Sequence, residues 1–96
     1  MDNKYVASAV RNEIQRVLDA VPSTRNNTLN VAAFSLGTLI GAGLLDRGTA
    51  ETALTRAAEA IGLDQDRDCG PRGIAATINS GLTKGAQNPR HVRGRR

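Results

Sequence analysis

Between residues 3 and 21, branched apolar side chains return every three or four positions. They are Val6, Val10, Ile14, Val17 and Val21, with Ala9 and Leu18 beside them. That period describes one face of an α-helix. Lys4, Ser8, Arg11, Gln15 and Asp19 fall on the opposite face, so the helix is amphipathic. Asp2 or Asn3 can cap its start. Pro22 ends it, because the residue before a proline is pushed out of the helical region.

After the polar turn Pro22–Asn27, a second helix is predicted over 27–45, with Leu29, Ala32, Ala33, Leu36, Leu39, Ile40 and Leu44 as its apolar positions. Phe34 sits among these aliphatic residues and is expected in the core. The spacing predicts a third helix over 49–61, where Ala50, Ala53, Leu54, Ala57, Ala58 and Ile61 share a face. Thr49 is its expected cap, Gly62 its stop, and Leu63 the residue that folds back. Pro71 suits the first position of a fourth helix, in which Ile74, Ile78 and Leu82 repeat every four residues and Gly85 can cap the end. No segment alternates like a strand. The expected fold is all-α, a small four-helix orthogonal or irregular bundle over 1–86, with a flexible basic C-terminal tail over 87–96.

Composition narrows the core. Tyr5 and Phe34 are the only aromatics in 96 residues, so the interior is built from Ala, Val, Leu and Ile. Ala33, Gly37 and Gly41 form a separate stripe of small residues. Glycine inside a helix costs about 1 kcal/mol relative to alanine, so the stripe predicts close approach of another helix, within the bundle in preference to a dimer. A monomer is expected. No stretch approaches the roughly 20 apolar residues of a membrane span, and the first residues lack a secretory pattern. The single cysteine, Cys69, fits a reducing cytoplasm.

Charge is unevenly placed. From Cys69 onward there are six basic residues and no acid; before it there are seven basic and nine acidic. A one-sided basic third points to a polyanion, or, more plainly, to a solubilising tail. Two places can receive phosphate. One is the start of the second helix, with Arg25, Asn26 and Asn27, where unpaired N–H groups attract anions. The other is the outer face of the fourth helix, with Arg72, Asn79, Ser80, Thr83, Lys84 and, beyond it, Arg90. Plain helix capping and solvation are the competing readings of both.

Catalytic constellations are missing. The single histidine, His91, lies in the tail, and zinc has no ligand set. Asp64, Asp66 and Asp68 alternate as calcium-loop ligands do, but Cys69 stands where the loop needs glycine and Ala75 where it needs glutamate. No phosphate-loop string occurs. Two aromatics cannot build the multi-ring platform of sheet-based single-strand binders. The expectation is a protein without catalytic, metal or cofactor sites.

Two blocks of sequence carry a resemblance. The first is Thr24-Arg25-Asn26-Asn27-Thr28-Leu29-Asn30, continued by Ala32-Ala33-Phe34-Ser35-Leu36-Gly37 and Gly41-Ala42-Gly43-Leu44-Leu45. The second is Thr77-Ile78-Asn79-Ser80-Gly81-Leu82, then Gly85 and Asn88-Pro89-Arg90. Together, over about Tyr5 to Arg90, they resemble a helical module of bifunctional DNA primase–polymerases and primase–helicases from actinobacterial phages, prophages and integrative plasmids. There the module lies downstream of the catalytic primase domain. The resemblance implies a non-catalytic role in priming replication of a mobile element, on single-stranded or template DNA, beside a primase or helicase partner. Arg25, Asn26, Asn27 and Asn30 match the first block; Asn79, Ser80, Lys84 and Arg90 match the second. The family usually has glycine where Ser23 stands, and neither a catalytic domain nor a helicase motor accompanies the module. That implies an excised module or a free-standing regulator. The alternative from another class is a small protein-interaction adaptor using the small-residue stripe.

Overall fold

Pro22 separates the first two helices. The computed structural model describes residues 4–67 and 69–90. Helix α1 runs Lys4–Leu18, three residues short of the expected end. Val21, held before the proline, is extended at φ −75°, ψ 153°. It is thereby lifted off the helix and stays 57% exposed, with Leu18 exposed beside it. Val6 and Val17 are buried, while Ala9, Val10 and Ile14 pack against the core from its margin.

A short 3-10 turn, Pro22–Thr24, leads into α2, Arg25–Gly41. The Thr24 hydroxyl donates back to the Val21 carbonyl at 3.1 Å and does not cap α2. Helix α2 ends earlier than the apolar pattern predicts because Gly43 takes the left-handed conformation, φ +77°. The Gly43 N–H donates to the Ile40 carbonyl and the Leu44 N–H to the Leu39 carbonyl, both at 2.9 Å. That pair of bonds is the Schellman stop; Leu44 and Leu45 follow as a return to the core's edge.

Helix α3 spans Arg47–Ala60. Its cap is Asp46, not Thr49: the carboxylate accepts from the Thr49 N–H at 3.0 Å and from the Thr49 hydroxyl at 3.3 Å. A carboxylate here also suits the positive end of the helix dipole. Gly62 ends the helix with φ +84°, and Leu63 folds back to 2% exposure. After a second 3-10 turn, Leu63–Gln65, helix α4 occupies Gly70–Ala86 with Pro71 in its first turn.

The core is aliphatic throughout. Leu29, Leu36, Leu39, Leu54, Leu63, Leu82 and Val17 are the largest fully buried side chains, and no described polar or charged residue is buried. Each leucine removed from water contributes roughly 1.5–3 kcal/mol.

The closest pairing joins α2 to α4. A Cβ on Gly81 would lie 2.5 Å from the Ala33 Cβ, and one on Gly37 would lie 2.5 Å from the Leu82 carbonyl oxygen. One on Gly85 would strike the Phe34 carbonyl, and one on Gly41 the Ala86 carbonyl. Contacts advance together along both chains, so the two helices run parallel, and α3 carries the chain back between them. The small-residue stripe thus packs against α4 within the bundle, as the glycines predict. Gly85 is a packing residue inside α4, not its cap. Phe34, expected in the core, is 40% exposed. Its backbone faces α4 while glycine and alanine do the packing, so its ring falls at the edge.

No helix among the described residues is long and apolar enough to cross a membrane. The described chain does not leave the bundle at residue 86. Gln87–Arg90 continue against it through an Arg90 N–H bond to the Thr38 carbonyl at 2.9 Å. The rest of the expected tail, 91–96, lies outside the described residues.

Candidate nucleic-acid interface

Three of the residues predicted to meet DNA are committed to the fold. The Arg25 guanidinium turns inward, donating to the Ile61 carbonyl and pairing with the Asp66 carboxylate at 3.4 Å. It fastens the start of α2 to the end of α3. Arg90 does the same at the other end. Its Nε donates to Thr38 Oγ1 at 3.0 Å, Nη1 to the Tyr5 hydroxyl at 2.8 Å, and Nη2 to Ser35 Oγ at 2.7 Å and the Ser35 carbonyl at 3.1 Å. Its guanidinium carbon also stands 5.9 Å from the centre of the Tyr5 ring, within range of a cation–π attraction. Asn79 is taken by Arg47, which donates to its Oδ1 at 2.7 Å and to Thr83 Oγ1 at 3.2 Å while its Nε donates to Glu51 at 3.2 Å. Arg47, Tyr5, Ser35 and Thr38 escaped the sequence reading. Nothing local marks them, because each acts through a partner over 30 residues away.

The other five predicted residues have exposed side chains. Asn26, Asn27 and Ser80 come together. With Asn30, Ala76 and Thr77 they line an open groove of about 370 Å³ between the N-terminal part of α2 and the middle of α4. Thr77 Oγ1 donates to Asn26 Oδ1 at 3.1 Å across its floor. Arg72 stands two turns before Ser80 on α4 and Lys84 one turn after it. Neither α2 nor α4 contains a single Asp or Glu. The groove therefore offers amide and hydroxyl groups to a ligand, and none of the residues that line it carries a carboxylate.

The chain matches no family model, no curated protein and no solved structure. Asn26, Asn27 and Asn30 of the first block and Thr77 and Ser80 of the second line the same groove.

A second cavity of about 380 Å³ adjoins the first and shares Asn26, Ala76 and Thr77 with it; Arg25, Asp66 and Cys69 line its far side. Burial pushes the Cys69 thiol up, Asp66 adds to that, and Arg25 opposes it. A thiol shifted this way is a poor nucleophile at neutral pH. The Cys69 Sγ rests 3.9 Å from Asn26 Oδ1. No cluster of three or more His, Cys, Asp and Glu gathers among the described residues. Asp68 of the aspartate series and His91 lie outside them.

Proposed function

We propose that the chain is a non-catalytic nucleic-acid-binding module and that the α2–α4 groove is its contact surface. One observation carries this reading. Two sequence blocks about fifty residues apart supply the facing walls of an acid-free groove, Asn26, Asn27 and Asn30 opposite Thr77 and Ser80. Asparagine and hydroxyl side chains both donate and accept, as base edges and sugar–phosphate backbones require. Arg72 and Lys84 supply the sequence-independent attraction. The setting implied by the resemblance, DNA replication or priming in a phage or mobile element with a primase or helicase nearby, belongs to the same proposal.

The test is fluorescence anisotropy of labelled oligonucleotides over a salt series. The full chain is compared with a chain ending at Arg90, which keeps the Arg90 bonds and removes three arginines. The double variant Arg72→Ala/Lys84→Ala is measured in both. Binding should survive the truncation, weaken as salt rises, and show a shallower salt dependence in the double variant. Affinity lost entirely with the tail, or untouched by the double variant, would sink the groove as the contact surface.

A further inference from the structure

Phe34 is the one phenylalanine of the chain, and 40% of it is exposed. A surface phenylalanine in so small and aromatic-poor a bundle calls for an account. Its place supplies one. Phe34 lies one helical turn beyond Asn30, which lines the groove. Its backbone passes between Gly81 and Gly85 of α4, the neighbours of Ser80 and Lys84. Long side chains on a helix lean toward its N-terminus and over the preceding turn. Residues 26, 30 and 34 are four apart on α2, so Phe34 stands one turn past the groove that Asn26 and Asn30 line, on the same side of the helix.

We infer that Phe34 is a stacking position for one unpaired base, so that the groove takes single-stranded nucleic acid in preference to duplex. This rests on the function proposed above and sharpens it. A base inside a duplex is already stacked on both faces, so a lone ring meets it only by unstacking a base step, at a cost of a few kcal/mol. A base in a single strand has a free face, and stacking on an aromatic side chain tolerates any sequence. The adjacent amides of Asn27 and Asn30 can meet the edge of that base or the next. Lys84, one turn after Ser80 on α4, is available to the phosphate that joins them. One ring is too little for the multi-aromatic platforms of sheet-based binders, but a single stacked base needs only one.

The experiment is a two-by-two cycle on the full chain. The proteins are wild type and Phe34→Leu, the latter keeping an apolar side chain without the ring and checked by its melting curve. The probes are an oligothymidylate and an oligomer of the same length made of abasic sugar–phosphate units. A blunt duplex is measured alongside. Phe34→Leu should weaken binding of oligothymidylate roughly ten-fold and leave the abasic strand and the duplex unchanged. Equal loss on the base-bearing and abasic strands, or no loss on either, overturns the stacking role while the phosphate-binding groove stands. Failure of the wild-type chain to bind any strand overturns both. Self-association in sedimentation that Phe34→Leu abolishes, with oligonucleotide affinity unmoved, overturns the inference in favour of a protein contact.

Discussion

Helices α2 and α4 meet in two different ways along their length. Where Ala33, Gly37 and Gly41 face Gly81, Gly85 and Ala86, backbone touches backbone and nothing fits between. Beside that seam, at Asn26, Asn27, Asn30, Thr77 and Ser80, the same two helices hold open a polar groove. The difference lies in which side chain each turn presents. Helices with ordinary side chains pack about 8–10 Å apart. Glycine draws the pair closer, and the polar residues flanking the seam then stand near enough to share a groove. The sealed part and the open part are two consequences of one close approach. Adjacent residues can therefore have opposite roles: Gly81 is buried in the seam, and Ser80 lines the groove.

Substitutions at that junction test the contrast most severely. Gly81→Leu drives a side chain into Ala33 and the Asn30 carbonyl. Overpacking costs about 1–3 kcal/mol and more where backbone must move, out of a total of about 5–15 kcal/mol. We expect loss of the cooperative melt in circular dichroism. Ser80→Leu, one position away on an exposed site, should shift stability by no more than about 0.5 kcal/mol while weakening oligonucleotide binding. Parallel behaviour of the two variants would erase the distinction between seam and groove.

The next effect in size is at Arg90. Arg90→Ala removes four side-chain hydrogen bonds to α1 and α2. These are partly exposed and each contributes about 0.5–1.5 kcal/mol net, so the urea midpoint should fall by an amount corresponding to about 2 kcal/mol. Because this arginine is spent on the fold, its loss should alter DNA affinity only through stability. A ten-fold loss of affinity in a fully folded variant would return Arg90 to the interface. Smaller again is Thr77→Val, which deletes the bond across the groove floor to Asn26. A cost near 1 kcal/mol is expected in thermal denaturation.

The smallest effect lies on the alkaline side. The folded thiol of Cys69 is shifted upward by burial and by Asp66. The native chain therefore holds this proton to higher pH than the unfolded chain does. Its contribution is fully present below the unfolded thiol value, about 8.5, and is lost as pH rises toward the folded one. Cys69→Ala should make the alkaline decline in melting temperature shallower, and leave its slope at neutral pH unchanged. An identical alkaline profile in both proteins would contradict the shift.

Much of the fold is legible in the sequence because helix periodicity is a local property. Val6 with Val17, Leu29 with Leu36, and Ile74 with Ile78 and Leu82 mark buried faces correctly. The ends are less legible, since they depend on choices among neighbours. Asp46 and Thr49 can both cap α3, and Asp46 wins by supplying a charged acceptor to the Thr49 N–H. Gly43 stops α2 although Leu44 and Leu45 extend its apolar pattern. The arginines are the least legible. Arg25 and Arg90 read as phosphate contacts and Arg47 carries no signal, yet each reaches acceptors on a distant segment. Phe34 reads as core, because an aromatic among aliphatics usually is; only the direction of α4 across α2 puts it at the edge. The groove itself, formed by residues near positions 28 and 78, exists only once the two helices lie parallel.

The bond from Arg90 to the Tyr5 hydroxyl, 2.8 Å long, joins the first turn of α1 to the last described residue. The two ends of the described chain are thereby tied together at one corner of the bundle. A protein with that layout can be cut elsewhere and sealed there with a short linker, or carried whole on a surface loop of a larger enzyme, without pulling its host's backbone apart. The connection between α2 and α3, where Gly43 has open space around it, is the natural site for the new ends of such a circular permutant.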